Sequence, residues 1–410
     1  MAELIDRPEY LRQLIQNRDV DLVKIVTGIR RCGKSSLLEL YHQYLLEQGV
    51  AESHIIHMNL ESLRYRTLSD YLAFYDYVSQ MIPDSGKTYL IFDELQAVSH
   101  WEKAIESFRL DYDVDIYITG SNAYLLSGEL ATLLSGRYVE INMLPLSFEE
   151  FCQMNDGGDR DALLGAYMRN GGYPYLVKLA DDSEKVDMYL EGIYNTILVK
   201  DIEERQRRRE IDPNKRKIND LSLLKNISKF LASSVGSPIS MKSIADYITS
   251  GGRSISQATV SDYVEALVEP YIFYPVERYD VLGKQLLKSN WKMYIVDLGI
   301  RRYLLPRKRY DLGASLENVI FLELLRRGYR VNIGKVGTTE VDFVARKNED
   351  IFYYQVTASM TEESTFEREM APLRAIQDNY PKYVITLDRY TLGNYEGIQV
   401  IHAVDWLLGN

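Results

Sequence analysis

Over the first 150 residues, short apolar runs rich in β-branched and aromatic residues alternate with stretches whose apolar residues recur at helical spacing. The runs lie at 22–27, 54–60, 88–93, 114–119 and 138–143. After the first, Leu37, Leu38, Tyr41 and Leu45 mark one helix face until Gly49 supplies a stop. Residues 69–78 predict a helix capped by Ser69. Residues 98–108 predict an amphipathic helix, 124–134 a further one, and 9–15 an opening helix whose role is packing. Strands alternating with helices in this way predict an α/β core built on a parallel sheet.

Past Pro145 the pattern turns helical, interrupted by Asp156-Gly-Gly-Asp and by the sharp break Gly171-Gly-Tyr-Pro174. Residues 201–210 mix acids with arginines that can pair along a helix face. Pro213 then opens a new pattern: helices at 221–233, 241–248 and 256–268, followed by strands at 272–276 and 292–296. Three helices and a hairpin form a winged-helix layout, whose third helix commonly enters a DNA major groove. In that helix Val260, Val264, Leu267 and Val268 form the inner face. Gln257 and Ser261 point outward beside Asp262, Glu265 and Glu269, which phosphates repel. Basic contacts are therefore sought in Arg301, Arg302, Arg307, Lys308 and Arg309, a cluster uninterrupted by acids. From Gly313 a helix (315–325), strands (330–333, 340–344, 351–357), a helix (366–376) and a strand (382–386) complete the chain. The expected divisions are a core at 1–150, a helical lid at 151–212, a winged helix at 213–300 and a last α/β domain at 301–410.

The strongest chemistry sits directly between the first strand and its helix, in Gly28-Ile-Arg30-Arg31-Cys32-Gly33-Lys34-Ser35-Ser36, a complete G-x-x-x-x-G-K-[ST] phosphate loop. Its glycines let backbone N–H groups and a helix N-terminus face a polyphosphate. Lys34 reaches the β- and γ-phosphates, Ser35 places a hydroxyl on Mg²⁺, and Ser36 contacts an inner phosphate. The third strand ends in Asp93 and Glu94. Asp93 suits Mg²⁺ through water, and Glu94 suits polarising the water that attacks the γ-phosphate. Asn122, just past the fourth strand, would lie between loop and acids and hold that water. His54 and His57 are expected to be structural, since no Cys or carboxylate stands at ligand spacing beside them in sequence.

This order of elements and motifs resembles the AAA+ ATPase core. The resemblance implies that Arg137, ahead of the last strand, projects into a neighbouring subunit's ATP. It also implies self-association through that residue, a helical lid after the core, and packing of Pro174 or Tyr173 on the adenine. The C-terminal element order resembles the PD-(D/E)xK restriction-endonuclease fold. Glu317 and Asp342 match its helical Glu and strand Asp. Its E-x-K tripeptide stands here as Gln355-Val-Thr357, so one carboxylate is an amide and the lysine is absent; a lysine from elsewhere, such as Lys335, would have to replace it. Nearly the whole chain resembles bacterial and archaeal AAA+ ATPases that join such a core to a winged helix and an endonuclease-like tail. The carrying motifs are the phosphate loop, Phe-Asp-Glu-Leu-Gln, Thr-Gly-Ser-Asn, Gly-Gly-Tyr-Pro and Glu-Val-Asp-Phe-Val.

At 410 residues the chain is long enough for two or three cores, and 46% hydrophobic with 26% charged residues is a globular balance. A net charge of −11 weighs against indiscriminate nucleic-acid coating. Two cysteines, Cys32 and Cys152, build neither a disulfide framework nor a four-ligand zinc site. No run of about twenty apolar residues spans a membrane, and the start lacks a basic, apolar leader, so a cytoplasmic setting is expected. The reading is an Mg²⁺-dependent ATPase, with ATP and Mg²⁺ as cofactors and DNA as a candidate partner, whose nucleotide state rearranges the C-terminal modules. The alternatives are a nucleotide-gated switch or scaffold with low intrinsic hydrolysis, and an ATP-regulated nuclease.

Overall fold

Strand β1 (Val23–Thr27) is buried on both faces along its whole length, as a near-continuous apolar run in the middle of a parallel sheet should be. The computed structural model describes residues 4–120, 134, 136–155, 158–179, 182–211, 218, 220–305 and 311–409, with 199–211 and 288–290 as backbone only. The described chain clusters into two units, one of residues up to Pro145 plus Glu269–Tyr271 and one of the remainder.

In unit 1, β1 is joined by β2 (Ile55–Asn59), β3 (Thr88–Asp93), β4 (Val114–Gly120) and β5 (Tyr138–Asn142) in the order β2-β3-β4-β1-β5. Every neighbouring pair is parallel. With β4 inserted between β1 and β3, the C-terminal end of β4 lies between the loop after β1 and the acids after β3. This is the α/β core of a P-loop ATPase. Helices α1 (Pro8–Gln16), α2 (Lys34–Glu47), α3 (Tyr71–Ser79) and α4 (Trp101–Asp111) accompany it. The helix expected to be capped by Ser69 is capped by Asp70, whose carboxylate accepts from the Leu72 N–H at 2.9 Å. Against one sheet face, Phe74 of α3 meets Phe92 of β3 edge-on with centroids 5.0 Å apart, and Phe108 of α4 closes the cluster. Truncating such a fully buried Phe to Ala costs about 3–5 kcal/mol.

One polar residue interrupts β1. Lys24 is fully buried, and its ammonium is held by the Asp115 carboxylate of β4 and by the Val20 carbonyl at 2.7 Å. Burial pulls the Lys24 pKa down while the Asp115 carboxylate opposes it.

Unit 2 carries a nine-stranded mixed sheet in the order β13-β14-β12-β11-β10-β9-β7-β8-β6. Its strands are β6 (Pro238–Ile239), β7 (Phe273–Asp280), β8 (Gln285–Ile295), β9 (Arg330–Val336), β10 (Thr339–Lys347), β11 (Asp350–Thr357), β12 (Lys382–Thr386), β13 (Gly393–Tyr395) and β14 (Ile398–His402). The β7–β8 hairpin follows the helices Leu221–Ser233, Met241–Ser250 and Gln257–Val268, and β7 pairs in parallel with β9. The hairpin read as a wing and the strands of the last α/β region thus share one sheet. No described helix is long and apolar enough to cross a membrane.

Candidate nucleotide site and a second carboxylate cluster

The loop after Thr27 closes tightly. Gly28 takes φ +143°, and a Cβ there would stand 2.1 Å from the Met143 carbonyl oxygen, so only glycine fits against the exit of β5. Arg31 and Gly33 are also left-handed, at φ +63° and +110°. Gly33 caps α2 with no side-chain bond, leaving the first-turn N–H groups of α2 without a capping side chain. The Lys34 ammonium, only 4% exposed, lies on the loop itself, donating to the carbonyls of Gly28 at 2.9 Å and Ile29 at 3.2 Å. Ser35 is exposed and Ser36 half-buried. Uncapped helix amides, left-handed turns and an ammonium at one bend are the donor set that suits a polyphosphate.

The loop is also braced from outside. Arg7, just ahead of α1, is buried, and its guanidinium donates to the Cys32 carbonyl at 2.9 Å and to the Leu144 carbonyl at 2.8 Å. Arg7, just outside the helix 9–15 read as packing, thereby ties the phosphate loop to the segment after β5. Arg30 lies 3.6 Å from the Glu61 carboxylate, while Arg31 is exposed.

At the end of β3, Asp93 is 2% exposed and both its oxygens are engaged. One accepts from the Thr119 hydroxyl of β4, the other from the Asn59 amide of β2 at 2.8 Å. Thr119 in turn accepts from the Glu94 N–H at 3.0 Å. Glu94 adopts φ +54°, and its carboxylate accepts from Gln96. A carboxylate so fixed keeps its charge in place and suits a hydrated Mg²⁺. Sequence reasoning missed Arg7, Asn59 and Thr119; the signal for Thr119 was its place at the last turn of the strand between loop and acids.

Asn122 lies outside the described residues. Arg137 is exposed at the entry to β5, where its carbonyl accepts from the Val23 N–H at 3.0 Å. Because β1 and β5 are parallel, this edge of the sheet is opposite the loop, roughly 13 Å away along β1. Arg137 and the phosphate loop thus stand at opposite ends of the sheet. In unit 2, a Cβ on Gly171 would strike the Asp297 carboxylate at 2.2 Å, and the Gly172 N–H donates to that carboxylate at 2.6 Å. Asp297 also accepts from Gly299 and Ile300, and burial pushes it up to about 6. Asp297 thus requires glycine at 171, and the Leu146 carbonyl oxygen, 2.7 Å from where a Cβ on Gly172 would stand, requires it at 172.

The basic cluster is not a free surface in its described part. Arg301 is buried, donating to the Ala232 carbonyl at 3.1 Å and the Ser315 hydroxyl at 2.9 Å, and Arg302 pairs with Asp187 and Asn170. Arg307, Lys308 and Arg309 lie outside the described residues.

Glu317, Asp342 and Gln355 do come together. The β9–β10 ladder slips between Val341 and Val344, and such an irregularity re-aims side chains. Freed there, the Asp342 N–H donates to Gln355 Oε1 at 3.3 Å, while its carboxylate accepts from the Val356 N–H at 2.9 Å. Gln355 passes its amide to Glu369 at 2.8 Å. Thr357 turns its hydroxyl to the Ser359 carbonyl at 2.9 Å. The cation of the cluster is Lys292 of β8, not Lys335. Its ammonium, on a residue 4% exposed, lies 2.9 Å from Glu340, 3.1 Å from Glu317 and 3.6 Å from Asp342. Tyr294 donates to the same Glu317 oxygen at 2.6 Å. Burial, then the Glu317 charge, pushes Asp342 up to about 7. A cavity of about 960 Å³ borders the cluster, lined by Gly236, Arg301, Glu317, Thr357, Arg368 and Glu369 among others.

Residues 21–152 match a family described as an AAA domain, and residues 161–311 match a domain of unknown function. An uncharacterized protein of Haemophilus influenzae is 42% identical over 410 residues, 99% of each chain. An uncharacterized protein of Methanocaldococcus jannaschii is 28% identical over 370 residues, 85% of this chain and 77% of the relative. Among solved structures, a Walker-type ATPase of Pyrococcus abyssi aligns with TM-score 0.46 and 18% identity, covering 73% of this chain and 95% of that one.

Proposed function

Since the chain belongs to the same family as the Haemophilus influenzae relative, with an AAA domain near its start, we propose that unit 1 binds ATP with Mg²⁺ and hydrolyses it. The observation that carries this reading is the Asp93–Thr119–Glu94 arrangement one strand away from the Gly28–Ser36 loop. Loop and α2 amides take the phosphates, and Lys34 turns from the Gly28 and Ile29 carbonyls to the β- and γ-oxygens. Ser35 and Asp93 hold the metal ion. Mg²⁺, when bound, neutralises phosphate charge that the protein's own cations leave uncompensated. Glu94 accepts the proton of the attacking water, and Gln96, now bonded to it, keeps that carboxylate from swinging free. Asn122, two positions beyond β4 in sequence, is the residue assigned to orient the same water.

Arg137 sits on the far edge of the sheet, and its charge is assigned to a nucleotide held by a second copy of the chain. Turnover is therefore proposed to depend on self-association, and the isolated chain to behave as a slow switch. Thr27 is the residue before Gly28. Its hydroxyl donates to Glu140 at 2.7 Å, and Tyr271, in the segment 269–271 that clusters with unit 1, donates to the same oxygen at 3.4 Å. Along the chain, Tyr271 stands two residues before β7.

For unit 2, the amide of Gln355, bonded to Asp342 and Glu369, stands where a nuclease would need a metal-binding carboxylate, which supports binding or regulation over DNA cleavage. Among the described residues, the exposed Gln257 and Ser261 support DNA as a candidate partner. The test is phosphate release from ATP measured against protein concentration. Specific activity that climbs with concentration and is lost in Arg137→Ala supports the reading; no release at any concentration ends it. Duplex and single-stranded DNA should survive incubation with Mg²⁺ or Mn²⁺.

A further inference from the structure

Unit 1 holds a second group of donor atoms whose chemistry differs from the phosphate site. Glu39 and His42 stand three residues apart on α2, so both project from one face of that helix. His57 stands in the middle of the edge strand β2, where Ile56 and Met58 join the core on one sheet face and His57 faces the other with Asn59. The fold brings these three together. Their ligand atoms all lie within 4.8 Å of one another, with His42 Nδ1 3.2 Å from His57 Nδ1 and His57 Nδ1 3.7 Å from the Glu39 carboxylate. The expectation that no carboxylate partners His57 fails because its partners arrive from a helix, across space.

We propose that Glu39, His42 and His57 form a binding site for one Zn²⁺ ion, separate from the nucleotide's Mg²⁺. The spacing fits: two nitrogens bound at 2.0–2.1 Å in a tetrahedral shell are roughly 3.3 Å apart. So does the outer shell. The other ring nitrogen of His42 lies 3.5 Å from the Glu52 carboxylate, close enough for that carboxylate to orient the ring once a metal is bound. Two imidazoles and one carboxylate suit Zn²⁺, whereas Mg²⁺ prefers oxygen alone. Three protein ligands leave a fourth position for water. His54, by contrast, is occupied with the Lys87 carbonyl at 3.2 Å and stays structural.

The site's placement gives it a consequence. Glu39 and His42 belong to the helix that begins at Lys34, and His57 lies two residues from Asn59, the residue that holds Asp93. A bound ion therefore pins the phosphate-loop helix to the strand that positions the acid. Metal occupancy stiffens that geometry and raises the stability of unit 1 by linkage.

The test uses the full, untagged chain stripped of metal and titrated with Co²⁺, which reports its coordination optically. The expected result is one equivalent per chain with the strong visible absorption of a four- or five-coordinate ion, erased by one equivalent of Zn²⁺. His42→Asn and His57→Asn should each abolish the band, Glu52→Gln should weaken binding by roughly tenfold to a hundredfold, and His54→Asn should leave it intact. Wild-type protein showing only the pale spectrum of the hydrated ion would overturn the proposal, the two imidazoles then simply sharing an N–H···N bond. So would a His42→Asn/His57→Asn double variant that binds as wild type does. Neither outcome depends on ATP turnover, so the proposal stands or falls apart from the ATPase reading.

Discussion

Thr119 is bonded to Asp93 through its hydroxyl hydrogen and to the Glu94 backbone N–H through its oxygen, so a single side chain sets both the acid at the end of β3 and the turn that aims its neighbour. Thr119→Val keeps the shape and removes both bonds. Turnover should fall by roughly tenfold to a hundredfold with little change in ATP affinity. Thr119→Ser should restore it. Steady-state phosphate release beside equilibrium ATP binding separates the two effects.

Arg7→Ala should loosen the loop without touching a phosphate. Hydrogen bonds from a charged donor are worth about 1.5–3 kcal/mol each, and two short ones are lost here, to Cys32 and Leu144. A destabilisation of about 3 kcal/mol or more is expected in urea unfolding, together with weaker nucleotide binding, since the loop loses its brace.

The buried pair at the other end of the sheet gives a sharper stability effect. Asp115→Ala strands the Lys24 ammonium in a fully buried position and should cost about 3–5 kcal/mol. Combining it with Lys24→Met should recover much of the loss, as a double-mutant cycle by denaturation will show.

The pH dependence of unit 2 follows from Asp342. Its folded pKa is raised to about 7, chiefly by burial, from an ordinary value of 3.8. The folded state therefore binds the proton more tightly than the unfolded one, so stability is lost as pH rises from the ordinary carboxylate range through about 7. Asp297, raised to about 6, acts in the same direction. The melting temperature of unit 2 should fall between pH 5 and pH 7.5, and Asp342→Asn should flatten that slope while leaving the Asp297 part. An unchanged slope in Asp342→Asn contradicts this assignment.

The readable parts of the site were those contained in one contiguous stretch. Gly28–Ser36 and Asp93-Glu94 carry their chemistry in local spacing, and the buried β1 and β3 announced themselves as apolar runs. The residues that fix them did not: Arg7, Asn59 and Thr119 reach their partners across 25, 34 and 26 residues. Lys292 likewise meets Glu317 across 25 residues from a different strand, so the absent lysine of Gln355-Val-Thr357 could be seen in the sequence but its replacement could not. The arginines at 301 and 302 read as surface charge because their run holds no acid. Their partners, Ser315 and Asp187, come from other helices.

The central claim is that Lys34 and Glu94 divide nucleotide capture from hydrolysis. Each variant is incubated with ATP and Mg²⁺, passed through gel filtration, and the retained nucleotide identified. Glu94→Gln should carry ATP that has not been cleaved, Lys34→Ala should carry none, and the wild type should yield ADP and phosphate. Glu94→Gln returning ADP at the wild-type rate, or Lys34→Ala retaining ATP as well as the wild type, would contradict the account.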